Sequence, residues 1–237
     1  MKKIQGWKIV KHDVAEEIPV RDPVTGFCIE CPAGESGELI APIDNSDPMK
    51  QFHGYSDPAA TAKKVLTDVF AKGDMWFRTG DLLLHDTDGW IYFKDRIGDT
   101  FRWKGENVST NEVSEVVSTF PGVLEANIYG VQIPGSEDGR ACMAAVVTEN
   151  SELLDMSKLL EYMRQDLASY ALPQFIRYLP EMESTGTFKQ RKVDYQKEGI
   201  DIAVVTDRMF WLDPKSGAYE PLTREAYGKI CQGKARL

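Results

Sequence analysis

The first group suited to chemistry is the carboxylate of Asp81, which follows a glycine within residues 77–82 (FRTGDL). Glycine allows the backbone to turn sharply, and a carboxylate beside the turn can accept hydrogen bonds from both vicinal hydroxyls of a ribose. A T-G-D sequence is also a common plain turn. Residues 77–82 alone therefore leave two interpretations open, a ribose-binding carboxylate and a simple turn.

The second group is the guanidinium of Arg96, near the start of a polar stretch over residues 95–107 (DRIGDTFRWKGEN). It follows an aromatic run at residues 90–93 (WIYF), which is typical of a strand. An arginine at the end of a strand suits a fixed anion such as a phosphate. The alternative is an arginine–aspartate pair on a loop, and this stretch alone does not separate the two.

The composition excludes several classes of protein. The chain is 42% hydrophobic and 27% charged, which is typical of a globular protein, and its formal net charge of −9 argues against nucleic acid as a partner. Basic residues still cluster at 94–104 and 189–192, either as a local phosphate pocket or as solvated faces. No apolar run approaches the roughly 20 residues of a membrane-spanning helix. We therefore expect a cytoplasmic chain.

A metal site is not expected at the C-x-x-C spacing of Cys28 and Cys31. Zinc needs two further ligands, and the four cysteines of the chain provide no second pair at such a spacing. The two cysteines lie in an alternating stretch, residues 26–32, which is typical of a strand. We interpret them as structural.

The elements around these groups predict a β-rich first part. Residues 7–45 alternate short apolar runs with turn residues, which predicts short antiparallel strands. Asp57 as N-cap and Pro58 as the first helical residue predict a helix that ends at Gly73. A hairpin is expected over residues 75–93.

Beyond about residue 99 the pattern changes to mixed helix and strand. Apolar periodicity and a capping phrase predict helices over 109–120 and 157–167, and strands over 123–133, 141–147 and 175–179. The expected fold is therefore mixed: a β-rich subdomain over residues 1–98, followed by a compact α+β domain over residues 99–237.

The two polar stretches, in this order, resemble the adenylate-forming superfamily of acyl-CoA synthetases, luciferases and peptide-synthetase adenylation domains. Further phrases are similar to one branch, the fatty-acid-transport-protein/very-long-chain acyl-CoA synthetases. These phrases are residues 101–110 (FRWKGENVST), 128–135 (IYGVQIPG), 185–189 (TGTFK), 210–213 (FWLD) and 219–223 (YEPLT). The chain thus resembles the C-terminal part of an AMP-forming fatty acyl-CoA synthetase.

This resemblance implies roles for particular residues. Asp81 would hold the ribose hydroxyls of ATP and of the acyl-adenylate, and Phe93 would line the nucleotide pocket. Arg96 would contact the ribose or phosphate of the adenylate. Asp99 would be the hinge around which the C-terminal domain turns between two half-reactions. The loop around Gly105 would approach the pantetheine arm of CoA after that rotation.

The resemblance also implies a catalytic lysine. In the superfamily a lysine directly after a glycine stabilises charge as the carboxylate attacks the α-phosphate. Here Lys189 follows Gly186 with two residues between them, so the register departs from the usual pattern. We expect Lys189 to be catalytic, with Lys192 as the fallback. A solvated tail lysine is the alternative for both.

The implied reaction is fatty acid activation: ATP, a long- or very-long-chain fatty acid and CoA give acyl-CoA, AMP and diphosphate. The superfamily's Ser/Thr/Gly-rich phosphate loop and its acidic magnesium ligand are not found in the sequence, and the acyl tunnel would also lie upstream. We therefore expect a fragment that is inactive alone and needs several hundred residues of the same enzyme, including the magnesium site, as its partner.

Two other functions stay open on the sequence. The chain could be a non-catalytic module that binds nucleotide or CoA or takes part in lipid transport, or it could belong to a ligase for an aryl or amino acid. Peripheral contact with a membrane is a further expectation for the full-length protein.

Overall fold

The computed structural model describes most of the chain. The described residues are 6–14, 16–48, 50–149, 152–182, 192–235 and 237. Backbone contacts divide the chain into two compact units, Met1–Gly98 and Asp99–Leu237. None of the helices in these described ranges is long and apolar enough to cross a bilayer.

The first unit is dominated by β-structure, as expected from its short alternating runs. Its elements are β1 (Lys8–Val10), β2 (His12–Asp13), β3 (Ile18–Pro19), β4 (Gly37–Pro42), α1 (Pro58–Lys63), β5 (Val65–Thr67), β6 (Met75–His85) and β7 (Ile91–Arg96). The main sheet has the order β1-β4-β6-β5, and β7 also pairs with β6. All of its pairings are antiparallel, and β2 and β3 form a separate ladder. The long strand β6 carries Asp81 and pairs with β4, β5 and β7, the last of which carries Arg96.

The helix predicted to run from Asp57 to Gly73 is wrong in its length. Its start is as expected, since Asp57 accepts a hydrogen bond from the Ala59 N–H at 2.9 Å and Pro58 opens the helix. However, α1 ends at Lys63, and Val65–Thr67 then pairs with the start of β6. Strand pairing overrides the helical spacing here, because β-branched and apolar residues also suit a strand.

The loop after β5 is closed by the carboxylate of Asp74 instead of by helical hydrogen bonds. Asp74 accepts hydrogen bonds from the backbone N–H groups of Val69, Phe70 and Ala71 at 2.6, 3.0 and 3.1 Å. Burial disfavours the charged carboxylate, but these bonds hold the pKa of Asp74 below its usual value. A short polar cradle thus replaces the last turns of the predicted helix.

The two cysteines at the C-x-x-C spacing belong to different apolar clusters. Cys28 packs with Val10 and Ile40, whereas Cys31 packs with Leu39. Both are free thiols, and burial raises the pKa of Cys28 and raises that of Cys31 to about 11. At neutral pH both side chains are therefore protonated and contribute apolar packing.

The second unit is the mixed α+β part. Its elements are β8 (Phe101–Trp103), β9 (Glu106–Val108), α2 (Thr110–Ser118), β10 (Val123–Gln132), β11 (Arg140–Thr148), α3 (Met156–Asp166), β12 (Phe175–Tyr178), α4 (Lys192–Glu198), β13 (Met209–Asp213), β14 (Ala218–Pro221) and α5 (Arg224–Cys231). The sheet order is β10-β11-β12-β13-β14, with β11 and β12 parallel and the other pairs antiparallel. The hairpin β8–β9 is a separate ladder.

The predicted helices and strands of the second unit agree with the structure. Ser109 caps α2 by accepting a hydrogen bond from the Glu112 N–H at 3.3 Å, as its capping phrase predicts. The elements β8, β9, α4, β13, β14 and α5 were not predicted. The expected fold class, a β-rich part followed by an α+β part, is confirmed by the structure and by its structural neighbours.

Candidate functional site

Asp81 and Arg96 lie side by side on adjacent strands. They are Cα partners in the β6–β7 ladder, and Arg96 Nε lies 3.2 Å from Asp81 Oδ1. The side chains are 52% exposed for Arg96 and 30% for Asp81. An ion pair this open to solvent contributes about 0–1 kcal/mol to folding stability. A ligand can therefore separate the two side chains with little loss of free energy.

The backbone around Asp81 is held by Thr79 and Gly80. Thr79 Oγ1 donates to the carbonyl of Leu39 on β4 at 2.7 Å and accepts a hydrogen bond from the Asp81 N–H at 3.1 Å. Gly80 has a φ of +83° and accepts a hydrogen bond from the Ile97 N–H at 2.9 Å. The T-G-D phrase is thus a turn-like irregularity inside a long strand, which presents the carboxylate of Asp81 to solvent.

A second cation, which was not anticipated from the sequence, lies beside this phrase. Lys64 Nζ donates to the Thr79 carbonyl at 3.2 Å and lies 5.8 Å from the centroid of the Phe77 ring. A β-carbon on Gly80 would come 3.1 Å from the same Nζ. Lys64 was missed because it fell inside the helix predicted to continue to Gly73.

Phe93 lies on β7 with half of its surface exposed. The exposed fractions of Trp90, Ile91, Tyr92 and Phe93 are 55%, 40%, 49% and 50%. Tyr92 Oη donates a hydrogen bond to Asp86 at 2.9 Å. The ring of Phe93 has no hydrogen-bonding group and is half exposed to solvent. Phe93 is therefore an exposed ring three residues before Arg96 on the same strand.

A buried charge cluster anchors the start of the T-G-D phrase. Arg78 donates to Glu38 through Nε at 3.0 Å and Nη2 at 2.8 Å, and His12 Nδ1 lies 3.4 Å from Glu38 Oε2. The side chain of Glu38 has no exposed surface. Burial opposes its charge, but contacts with His12 and Arg78 outweigh burial and lower the pKa of Glu38. This cluster fixes Arg78, and with it the backbone that leads to Asp81.

In the second unit, Gly105 forms the tip of the β8–β9 hairpin. Lys104 and Gly105 both have positive φ, +50° and +86°, which is the requirement of a two-residue type I′ turn. Arg102 Nε donates to the Gly105 carbonyl at 3.1 Å. A β-carbon on Gly105 would meet no atom within 4 Å, so the turn is open on that side.

The predicted hinge residue Asp99 is paired with the fallback lysine. Lys192 Nζ lies 3.3 Å from Asp99 Oδ2 and 3.1 Å from Thr110 Oγ1. The preceding Gly98 has a φ of +90° and open space around the position of a β-carbon. Lys189 falls in residues 183–191, which lie outside the described residues, so its predicted role stays a prediction.

The helix that begins at Lys192 is anchored at its far end by a buried arginine that the sequence did not reveal. Arg177 is 6% exposed and its two Nη atoms lie 2.6 Å from Glu198 and 2.6 Å from Asp207. Its guanidinium also lies 5.0 Å from the ring centroid of Tyr195. Burial opposes the charge of Arg177, but the carboxylates outweigh burial and raise its pKa. Both ends of α4 are thus held by ion pairs.

No cluster suited to a metal ion occurs in the part of the chain that the structure describes, when groups of three or more His, Cys, Asp and Glu residues are considered. The groups that could meet a ligand are Asp81, Phe93 and Arg96 in the first unit and the Gly105 turn in the second. They suit hydrogen bonding, stacking and anion binding.

Comparison with known proteins shows what this chain is similar to. Residues 112–189 match the AMP-binding enzyme C-terminal domain. The human long-chain fatty acid transport protein 1 is 48% identical over 90% of this chain and 32% of its own length. The rat long-chain fatty acid transport protein 2 is 42% identical over 100% of this chain and 37% of its own length. The chain therefore spans about a third of the length of the curated relatives it matches.

Solved structures of other proteins are also similar to this chain. ATP-bound MatB from Rhodopseudomonas palustris aligns with a TM-score of 0.61 and 26% identity, over 78% of this chain and 34% of MatB. The amide bond synthetase McbA from Marinactinospora thermotolerans aligns with a TM-score of 0.59 and 28% identity, over 76% of this chain and 34% of McbA. The resemblance predicted from the sequence is confirmed: residues 112–189 match the AMP-binding enzyme C-terminal domain, the curated relatives are long-chain fatty acid transport proteins, and the structural neighbours are adenylate-forming enzymes.

Proposed function

We propose that this chain supplies the C-terminal portion of an ATP-dependent fatty acid–CoA ligase. The first unit would be the last subdomain of the N-terminal portion, and the second the mobile C-terminal domain. The observation that supports this most is the Asp81–Arg96 pair, a solvent-open carboxylate and guanidinium on neighbouring strands in a chain whose solved neighbours include an ATP-bound enzyme. The fatty acid as substrate rests on the transport proteins among its relatives.

In the first half-reaction, the fatty carboxylate attacks the α-phosphorus of ATP, an acyl–oxygen–phosphorus linkage forms and diphosphate leaves. Asp81 would accept hydrogen bonds from the ribose hydroxyls, and this would free Arg96 to contact the adenylate. The exposed ring of Phe93 would cover the nucleotide. Lys189 would stabilise the negative charge that develops during attack. We assign no residue of this chain to magnesium.

In the second half-reaction, the CoA thiolate attacks the acyl carbon, a carbon–sulfur bond forms and AMP leaves. The open turn at Gly105 would lie against the pantetheine arm, since Gly105 lacks a β-carbon and permits close backbone approach. Asp99, next to the open glycine Gly98, would be the hinge between the two half-reactions. The expected catalysis is positioning and electrostatics, without a covalent enzyme intermediate.

A chimera tests this proposal. The segment of rat long-chain fatty acid transport protein 2 that aligns with the whole of this chain, 37% of that protein's length, would be replaced by residues 1–237. Acyl-CoA formation from ATP, a long-chain fatty acid and CoA is then measured, with the parent protein as the positive control. We expect acyl-CoA from the chimera and none from the Lys189→Ala chimera.

A folded chimera that lacks acyl-CoA formation beside an active parent would contradict the proposal. Calorimetric titration of the isolated chain with AMP and with CoA then tests whether the chain is a non-catalytic binding module. Specific binding without catalysis would indicate a binding module. Activity of the chimera with an aryl or amino acid, but not with a fatty acid, would correct the substrate class alone.

A further inference from the structure

The Gly105 turn is held in place by the loop that precedes β11. The backbone N–H of Lys104 donates to the carbonyl of Asp138 at 2.8 Å, and Trp103 forms a β-bridge with Gly139. Trp103 itself is only 2% exposed. The turn is therefore attached to residues 138–139 by backbone contacts on one side of its hairpin, while its tip stays open.

Two glycines allow this close approach. A β-carbon on Gly139 would overlap the carbonyl oxygen of Arg102 and lie 2.9 Å from its carbonyl carbon, and Gly139 also has a φ of +98°. A β-carbon on Gly130 would lie 2.6 Å from the ring of Phe101. Because the overlap at Gly139 is with backbone atoms, a side-chain rotation cannot relieve it. The hairpin itself would have to move.

From these contacts we infer that Gly139 is a positioning residue for the Gly105 turn, and hence for the transfer of the acyl group to CoA. The effect of Gly139 on acyl transfer rests on the proposed function. Its effect on the position of the Gly105 turn rests on the geometry alone. Gly139 does not reach a substrate; it sets where the backbone of residues 102–105 lies. A displacement of about 1 Å at such a site can cost about 100-fold in rate.

The structural test uses the isolated chain and needs no activity. Gly139→Ala should increase the hydrogen-exchange rate of the Lys104 amide, because the bond to Asp138 is lost or lengthened when the hairpin moves. Gly217→Ala is the matched control: Gly217 has a φ of +66°, but a β-carbon there meets no atom within 4 Å. It carries a similar backbone strain without the overlap, so the Lys104 amide should exchange as in the unmodified chain.

The catalytic test uses the chimera and separates the two half-reactions. Gly139→Ala should slow acyl transfer from the adenylate to CoA by about 100-fold, while fatty-acid-dependent exchange of diphosphate into ATP is unchanged. Gly217→Ala should leave both steps unchanged. Should Gly139→Ala fail to fold, Gly130→Ala displaces the same hairpin through the ring of Phe101 and serves in its place.

The possible outcomes distinguish the positioning role of Gly139 from the proposed function of the chain. Unchanged exchange at the Lys104 amide in Gly139→Ala overturns the positioning role, whatever the chimera does. Faster exchange with normal acyl transfer overturns its catalytic consequence. A chimera that is inactive before any glycine is changed contradicts the proposed function instead, and the Lys104 amide still decides whether Gly139 holds the turn.

Discussion

Replacement of Arg177 by methionine should loosen the second unit and α4 in particular. Methionine fills a similar volume, but it leaves the carboxylates of Glu198 and Asp207 facing each other without their shared cation. Removal of one partner of a buried ion pair lowers the free energy of unfolding by about 3–5 kcal/mol. Because Glu198 and Asp207 are 35% and 24% exposed and can be rehydrated, we expect the lower end, about 3 kcal/mol.

Native-state hydrogen exchange gives the assay, because it reports on each unit separately. The amide of Tyr178 on β12 donates to the Arg208 carbonyl at 2.9 Å and lies next to Arg177. A loss of about 3 kcal/mol corresponds to exchange that is faster by about 100-fold at such globally protected amides. Amides of the first unit should keep their rates.

Arg164→Met is the matched control. Arg164 is an exposed arginine at the end of α3, and its Nη2 donates a hydrogen bond of 3.4 Å to the Gly217 carbonyl. Its loss should change stability by no more than about 0.5 kcal/mol. If Arg177→Met changed the exchange of the Tyr178 amide as little as Arg164→Met does, the idea that this network anchors α4 would be refuted.

Other predictions concern the first unit and the two candidate lysines. Glu38→Gln should destabilise the first unit by about 3–5 kcal/mol, because it leaves the guanidinium of Arg78 without its buried carboxylate partner. Folding lowers the pKa of Glu38 from 4.5, so the stability that its charge contributes is present above pH 4.5 and is lost as the pH falls through the folded pKa. In an acid titration followed by circular dichroism, a loss of this contribution already above pH 4.5 would contradict the prediction. Asp74→Ala should cost about 1–3 kcal/mol in urea unfolding, since the N–H groups of Val69, Phe70 and Ala71 lose their acceptor, and an unchanged midpoint would contradict the cradle. In the chimera, Lys189→Ala should abolish adenylation while Lys192→Met reduces it only partly; the reverse result would show that the register of the catalytic lysine is wrong.

The sequence predicted the regular elements wherever local signals and tertiary pairing agree. The capping phrase at Ser109 specifies the start of α2, and the apolar runs at 123–133 and 141–147 give β10 and β11 within a residue of their ends. The helix from Asp57 failed because local spacing and strand pairing conflict at Val65. The N-cap at Asp57 was predicted correctly, because capping depends only on neighbouring residues.

The candidate site was predictable only in part. Asp81 and Arg96 were selected from local phrases and from a family resemblance, and the structure pairs them, but their roles stay predictions. The buried networks of Glu38 and Arg177 were not anticipated, because their partners are distant in sequence and no local pattern marks them. The Lys104–Gly105 turn carries a signal that could have been used, a glycine that follows the aromatic residues Phe101 and Trp103 and precedes the β-branched Val108.

One measurement tests the central claim, that Asp81 and Arg96 serve a bound nucleotide. The Asp81→Asn chimera keeps the size of the side chain but removes its charge, and fatty-acid-dependent exchange of diphosphate into ATP is measured beside thermal unfolding. We predict a loss of exchange of at least about 10-fold with a stability change below about 1 kcal/mol, as expected for an exposed pair. Exchange at the rate of the unmodified chimera, with the protein folded, would contradict the account.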